Sequence, residues 1–552
     1  MSANPRWLQS YSGVRAVVGQ GPDVLDEDKL FAFRHAYCYA VSRLQAWPSP
    51  EARFVFARDP RPTGSALAAE QAAGVAAACR DLGVQVEVID LGVVTTPVWQ
   101  HAVRVFEAHG GVMVTASHNP LDNNGWKYAT GVETHGVDPA PPGALLSPAE
   151  MGNLIRAANS FSPKRTSVEV QRTEKRAEAV QHYLQFIRDA FRVRASAGSV
   201  VLDPNGGAAC GIAEELFESL GVKPIVVNGE IGRPGHLIDV EAGGPPGKGH
   251  VLDALAEQVR AEGALFGLAY DFDADRGNLT YLRTDGATAI PSPQAVAAIN
   301  TAIALAVHKR SGDSRPAAVV LSDGTSCRVW RIAEAFGARV SEVETGEINV
   351  VTQMRELEEQ GYAAVVGVEG PNGGTVFAGT TCRDGSLVGA GALLAGTDEA
   401  LRSLVRETLA PNKAPGPGLA GFISLLPYAR SIAERRTTEP MEWSRFVDLL
   451  EQRTRERFAE RLASDWSDYA FSYSYTRYAG PERPHVALYG WKLCLSSTEG
   501  QGFLWVRASK TEAGVLRMIA DAPDEPRAIA LLAFGSHLLA GESRTRASFS
   551  AD

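Results

Sequence analysis

Long apolar runs are missing from this 552-residue sequence. The longest nearly apolar stretch, Leu387–Gly396, is glycine-rich and about half the length a membrane span needs, so no membrane partner is expected. Met1–Ser10 has no apolar segment of the kind a secretory leader carries, and none is expected. Cysteine is scarce. Cys38, Cys79, Cys210, Cys327, Cys382 and Cys494 are scattered, with no pair at the spacing of a metal clip or a redox couple. Disulfides are therefore not expected, and a reducing cytoplasm is the simplest location. An excess of positive charge is also missing: 54 Lys+Arg against 64 Asp+Glu leave a net −10. That argues against bulk nucleic-acid binding, although a few arginines in a cleft can still hold a small anion.

What is present is ordinary for a folded chain, with 45% hydrophobic and 21% charged residues. At roughly 100–200 residues per domain, the length implies three or four domains. Three segments repeat one plan: an apolar strand, a polar turn, a helix ending in glycine, then another strand. The strands and turns are Arg53–Ala57 with Arg58-Asp59-Pro60-Arg61, Val200–Leu202 with Asp203-Pro204-Asn205-Gly206, and Ala318–Leu321 with Ser322-Asp323-Gly324-Thr325. In the second unit Ile212, Leu216, Phe217 and Leu220 fall at helical spacing before Gly221. In the third, Val329, Ile332, Ala333 and Phe336 do so before Gly337.

The strands are continuously apolar, which suits parallel strands buried on both faces. The expectation is an α/β fold of three similar domains, with ligands gathering where loops leave the C-terminal strand ends. Each unit has one further strand opening onto such a loop: Thr115–Pro120, Asp271–Arg276 and Glu369–Gly374. Past Pro411–Gly418, which reads as a linker, the plan stops. Short strands near Trp491–Ser496, Phe503–Ala508 and Val515–Ala520, and a helix over about Glu525–Leu539, predict a smaller antiparallel α+β domain. The division is 1–178, 179–290, 291–410 and 411–552.

Asp271-Phe272-Asp273-Ala274-Asp275-Arg276 is the sharpest cluster. Three carboxylates at alternate positions converge on one hard cation if the loop curls, and oxygen donors suit Mg²⁺. An EF-hand is excluded because Arg276 and Leu282 stand where Gly and Glu are needed. A haloacid-dehalogenase type of Asp-x-Asp loop also follows a strand, but usually has Thr or Val where Asp275 stands. Ser117, with His118 beside it, ends the strand Val112–Thr115, where a hydroxyl can act as nucleophile or phosphate carrier. Lys127 is close enough to fold back on it. Arg507, Ser509, Lys510 and Thr511, with Arg517 nearby, supply donors that fit a phosphate. Gly243–Gly249 is not a P-loop, since its glycine spacing is one short and Gly249 replaces the hydroxyl residue.

In order and spacing, Thr115–Pro120, Asp271–Arg276, Glu369–Gly374 and Arg507–Glu512 resemble the α-D-phosphohexomutases across nearly the whole chain. Arg58–Gly64 and Asp203–Gly206 extend the resemblance, and Ser12-Gly13-Val14-Arg15 is similar to the family's N-terminal motif. The resemblance implies a Mg²⁺-dependent phosphosugar mutase with four domains around one cleft. It implies phosphate on Ser117, with Ser117, Asp271, Asp273 and Asp275 as metal ligands. Arg15 would lie beside the phosphoserine, and Lys127 would be the general acid or base, its pKa falling when desolvated beside other cations. Arg276, Glu369, Asn372, Arg507, Ser509, Lys510, Thr511 and Arg517 would bind the sugar phosphate, and a sugar bisphosphate would act as intermediate and activator.

Several positions depart from the family. The sugar loop reads Glu369-Gly370-Pro371-Asn372-Gly373-Gly374, without the usual serine, so Asn372 is the candidate replacement. Lys510 replaces a Gly, and Ala16 replaces the Gly after Arg15. Two alternatives therefore stand: a sugar-bisphosphate synthase or phosphatase on the same scaffold, and a non-catalytic phosphosugar-binding protein. Ser117 and the three aspartates weigh against the second, since a binder needs neither.

Overall fold

A computed structural model describes residues 6–132, 140–165, 170–193, 197–244, 248–414, 416–438, 443–461, 470–480, 483–497, 500–508, 515–539 and 543–551. Three sheets repeat one topology. In the first, Glu51–Arg58 pairs in parallel with Gln85–Val93 on one side and Gly110–Val114 on the other. Gly110–Val114 then pairs antiparallel with Asn123–Thr130. In the second, Ser199–Asp203 lies between the parallel strands Lys223–Val226 and Gly267–Tyr270, and Gly277–Leu282 returns antiparallel. In the third, Ala317–Ser322 lies between Arg339–Val343 and Ala363–Glu369, and Gly374–Phe377 returns antiparallel. In every unit the expected loop is the turn between the last parallel strand and its antiparallel return, at a C-terminal strand end.

The core strands are largely buried, as their apolar sequence requires, although Glu51 and Arg53 at the start of Glu51–Arg58 are exposed. Gly110–Val114, Gly267–Tyr270 and Ala363–Glu369 have no residue outside the buried class. Helices Ile212–Ser219 and Cys327–Ala335 form where the apolar spacing placed them. One apolar core runs from Trp7 through all three sheets to Leu425. The short helix Gly418–Ser424, just past the Pro/Gly stretch, still belongs to that core through Leu419 and Phe422.

The fourth sheet is antiparallel throughout, in spatial order Ala470–Gly480, Arg483–Ser497, Gly500–Ala508, Val515–Ala522, Arg430–Thr438, Ser543–Ala551. Three of its strands match the sequence reading, as does helix Glu525–Leu538. The polar strands Arg430–Thr438 and Ser543–Ala551 carry too little alternation to be read locally, whereas Ala470–Gly480 alternates Phe471, Tyr473 and Tyr475 with Ser472, Ser474 and Thr476, a strand signal that the expectation above leaves out. This sheet has its own core and docks on the third unit through Cys327, Phe503, Trp505 and Ile519. Asp521 fastens that contact by accepting from the backbone N of Cys327 at 3.0 Å.

Candidate active site

Ser117 is buried at the end of Gly110–Val114 and its turn, in a left-handed backbone conformation (φ 53°). That conformation is costly for a non-glycine residue, so neighbours must hold it. The Ser117 N–H donates to Thr115 Oγ1 at 2.8 Å, and Thr115 Oγ1 donates to Asp59 Oδ2 at 2.7 Å. The Ser117 carbonyl accepts from Arg61 at 2.7 Å. Ser117 Oγ is thereby placed 3.4 Å from Asp271 Oδ2, and Arg276 Nη2 lies 3.4 Å from the same hydroxyl.

The aspartate loop curls through a second left-handed residue, Ala274 (φ 60°). One carboxylate oxygen from each of Asp271, Asp273 and Asp275 then lies within 4.8 Å of the others. Asp273 Oδ1 is buried with no hydrogen-bond partner among the described residues. Asp275 Oδ1 is likewise without one, and three converging carboxylates with two buried oxygens unsatisfied fit a small divalent cation, Mg²⁺ by donor chemistry. Helix Thr96–Val105 of the first unit points its N-terminus at this loop: Thr96 donates to Asp273 from its N–H (to the carbonyl, 2.9 Å) and from Oγ1 (to Oδ2, 2.9 Å). Burial and the neighbouring Asp275 push the Asp271 carboxyl well above its usual range. Burial would raise Asp275 too, but Arg383 and Lys127 hold it well below.

A ring of cations surrounds the carboxylates. Lys127 Nζ is 2.8 Å from Asp273 Oδ2 and 3.1 Å from Asp275 Oδ2. Its expected downward shift is corrected here: burial acts in that direction, but the charges of Asp273 and Asp275 outweigh it and raise the pKa. The carboxylates that touch Lys127 come from a loop 146 and 148 positions away in the chain. Arg15 is set by Gly13, whose φ of +122° and whose absent Cβ (2.8 Å from the Trp126 carbonyl oxygen) let its strand press on Asn123–Thr130. Desolvation pushes Arg15 down to about 10, with Asp273 opposing and Arg383 adding to the fall. Arg276 bonds His118 Nδ1. A guanidinium only donates, so a neutral His118 keeps its hydrogen on Nε2. Burial, then Arg276 and Arg15, push His118 well below its ordinary value.

Four groups that the sequence did not single out as site residues complete the cluster. Arg383 reaches Asp275 at 2.5 Å, Glu369 at 3.1 Å and Glu347 at 3.2 Å, tying the metal loop to the third unit. Glu347 is pushed up to about 7 by burial, against Arg383 and Lys127. Glu241 pairs with Arg276 at 2.8 Å. Arg61 holds the serine loop. Two of them have an adjacent sequence cue: Arg61 lies in Arg58–Gly64, and Asp384 beside Arg383 caps helix Gly385–Thr397.

Glu369 is buried, and its Oε1 has no hydrogen-bond partner among the described residues. Asn372 spends both ends of its amide on its own turn: Oδ1 accepts from Gly374 N at 2.9 Å, and Nδ2 lies 3.4 Å from Glu369 Oε2. Arg507 is buried on Gly500–Ala508, 5.1 Å from the Trp505 ring, and its Nε and Nη1 have no hydrogen-bond partner among the described residues. Arg517 lies directly opposite it in register, and is exposed. Ser509, Lys510 and Thr511 lie outside the described residues.

Repeated α/β/α units that bring together one acidic and cationic cluster, with a hydroxyl held against the carboxylates, have the groups that metal-assisted phosphoryl transfer needs. The comparisons with known proteins agree. Residues 8–135, 181–280 and 298–411 match phosphoglucomutase/phosphomannomutase alpha/beta/alpha domains I, II and III. The phosphoglucosamine mutase of Renibacterium salmoninarum is 31% identical over 406 residues, covering 73% of this chain and 81% of that protein. The phosphoglucosamine mutase of Clavibacter michiganensis is 35% identical over 223 residues, but the match spans only 45% of its length and 40% of this chain. A solved phosphoglucomutase/phosphomannomutase family protein from Burkholderia thailandensis superposes with a TM-score of 0.67 at 21% identity, over 97% of this chain and 98% of that one. The chain belongs to the phosphoglucomutase/phosphomannomutase family, the α-D-phosphohexomutases. Among the described residues, no helix is long and apolar enough to cross a membrane.

Proposed function

We propose that this chain is a Mg²⁺-dependent phosphosugar mutase, working in the cytoplasm through phosphate carried on Ser117 and a sugar bisphosphate that serves as intermediate and activator. The observation that carries the reading is Ser117 Oγ held 3.4 Å from both a metal-triad carboxylate and Arg276. Mg²⁺ on Asp271, Asp273 and Asp275 would neutralise charge on the phosphoryl oxygens. In the first half-reaction the P–Oγ bond of Ser117 breaks and a P–O bond to a sugar hydroxyl forms. One proton passes from that hydroxyl to Ser117 Oγ, and Lys127, against the triad, is placed to relay it. Arg15 and Arg276 offset the charge that spreads over the phosphoryl group. His118, kept neutral beside Arg276, acts on that guanidinium's placement rather than as a base.

Glu369, with Oε1 open, would accept from sugar hydroxyls. Arg507, with Ser509, Lys510, Thr511 and Arg517, would hold the phosphate that is not reacting. A clamp remote from Ser117 accepts either phosphate of a bisphosphate, which a two-orientation mechanism needs. Asn372, with one N–H towards Glu369 and Oδ1 on Gly374 N, would keep its second N–H for a sugar hydroxyl. The domains that carry these roles are residues 1–178, 179–290, 291–410 and 411–552.

Relatives named phosphoglucosamine mutase put hexosamine phosphates first among candidate substrates. The test is a panel of ³²P-labelled hexose, hexosamine and pentose monophosphates with Mg²⁺ and a trace of sugar bisphosphate. A mutase moves label between sugar positions. Accumulated bisphosphate or inorganic phosphate would instead mark a synthase or phosphatase, and binding without turnover a phosphosugar-binding protein.

A further inference from the structure

We infer that Arg61 is a positioning residue that fixes the register of the serine loop on the metal loop, and so sets where Ser117 Oγ points during transfer. The inference rests on the reading of Ser117 as the phosphate carrier. Arg61 follows strand Glu51–Arg58, is 1% exposed, and uses every N–H of its guanidinium. Nε donates to Asp59 Oδ2 at 3.0 Å. Nη1 donates to the carbonyls of Pro120 at 2.5 Å and Asn123 at 2.8 Å. Nη2 donates to the carbonyls of Ser117 and Asn119, both at 2.7 Å. The edge of one side chain thus binds four carbonyls of the turn that carries Ser117.

The face of the same group lies 5.2 Å from the centre of the Phe272 ring, between the metal-site residues Asp271 and Asp273. Edge to the serine loop and face to the metal loop, Arg61 couples two domains at the point of chemistry. Asp59 closes the frame from the other side through Thr115 and the Ser117 N–H. The strained Ser117 backbone needs such a frame, because a loop free to relax would leave φ 53° and withdraw Oγ from Asp271. A lysine cannot substitute: it brings the charge but neither the plane nor the four-carbonyl fork.

The test uses the full-length protein and [³²P]glucose 1,6-bisphosphate as phosphoryl donor, reading label on Ser117 by rapid quench and peptide mapping, per mole of folded protein. A displacement near 1 Å costs about a hundredfold in rate. Arg61→Lys should therefore label about a hundredfold more slowly, with the half-saturating donor concentration changed less than about threefold. Arg61→Ala should be slower still and regain rate with added methylguanidinium. Phe272→Leu removes only the stacked face and should cost about tenfold. A general packing defect would not give this split between rate and half-saturation, nor the rescue. If Arg61→Ala does not fold, Arg61→Lys and Phe272→Leu carry the test. Wild-type rates in folded Arg61→Lys or Phe272→Leu overturn the inference while leaving the phosphoserine reading intact. Wild-type protein that takes no label on Ser117 overturns that reading, and the inference falls with it.

Discussion

The charged side chains around Ser117 and the open donors and acceptors of Arg507 and Glu369 are wired differently. Around Ser117, the side chains of Lys127, Arg276 and the three aspartates lie 2.8–3.5 Å from one another or from the serine hydroxyl, across segments from two domains. Arg507, by contrast, is buried with two guanidinium nitrogens that have no hydrogen-bond partner among the described residues, and Glu369, though held by Arg383 on one oxygen, leaves the other open. A centre that performs the same transfer on every substrate gains from being organised in advance. A centre that must accept a sugar phosphate in two orientations gains from donors left open. Burying a guanidinium without full hydrogen bonding is costly, and a ligand phosphate would recover that cost.

The sharpest way to break this contrast is Ser117→Ala. It should lower turnover by roughly 10³-fold or more while the circular dichroism and melting curve stay those of wild type. Retained activity would mean that the wired cluster is not the reaction centre. Asp273→Asn removes one charge and almost no volume. It should raise the Mg²⁺ concentration for half-maximal rate by at least about tenfold, and an unchanged Mg²⁺ titration would remove the triad from the metal site.

Arg507→Ala probes the open groups. Losing a charge-assisted contact worth about 1.5–3 kcal/mol should weaken substrate binding by about 10- to 100-fold, and should slow Ser117 phosphorylation much less at saturating bisphosphate. Equal substrate affinity in titration calorimetry would show that the clamp lies elsewhere. The smallest expected effect is at Lys510, which lies outside the described residues. Lys510→Gly should weaken binding about two- to threefold and flatten its salt dependence, as expected for an exposed charge. A salt slope equal to wild type would leave Lys510 out of the clamp.

The α/β repeats were legible because burial on both faces forces unbroken apolar strands, and glycine ends the intervening helices. In the fourth sheet the apolar strands were legible, and the alternation of Phe471, Tyr473 and Tyr475 with Ser472, Ser474 and Thr476 offered a further strand. The serine and aspartate loops could be read because their chemistry is contiguous: six residues carry three carboxylates, and six carry the hydroxyl with its neighbours. Asn372 shows the opposite case. The sequence offered an amide in the sugar loop, and the turn uses both of its ends. For Lys127 the residue was legible but the sign of its shift was not. That sign depends on carboxylates 146 and 148 positions away in the chain.

By itself the sequence determined the α/β class, the threefold plan, a fourth domain of different α+β type and the two loops whose residue types suit metal and phosphate. Each is a local property, since strand burial, turn chemistry and ligand type are written in consecutive residues. Only the tertiary structure decided which charges meet. Arg61 on the serine loop, Glu241 on Arg276, and Arg383 on Asp275, Glu347 and Glu369 join segments that no sequence period relates. Electrostatic energy depends on separations of a few ångströms in a poorly screened interior, and such distances between remote segments are set by packing rather than by order along the chain.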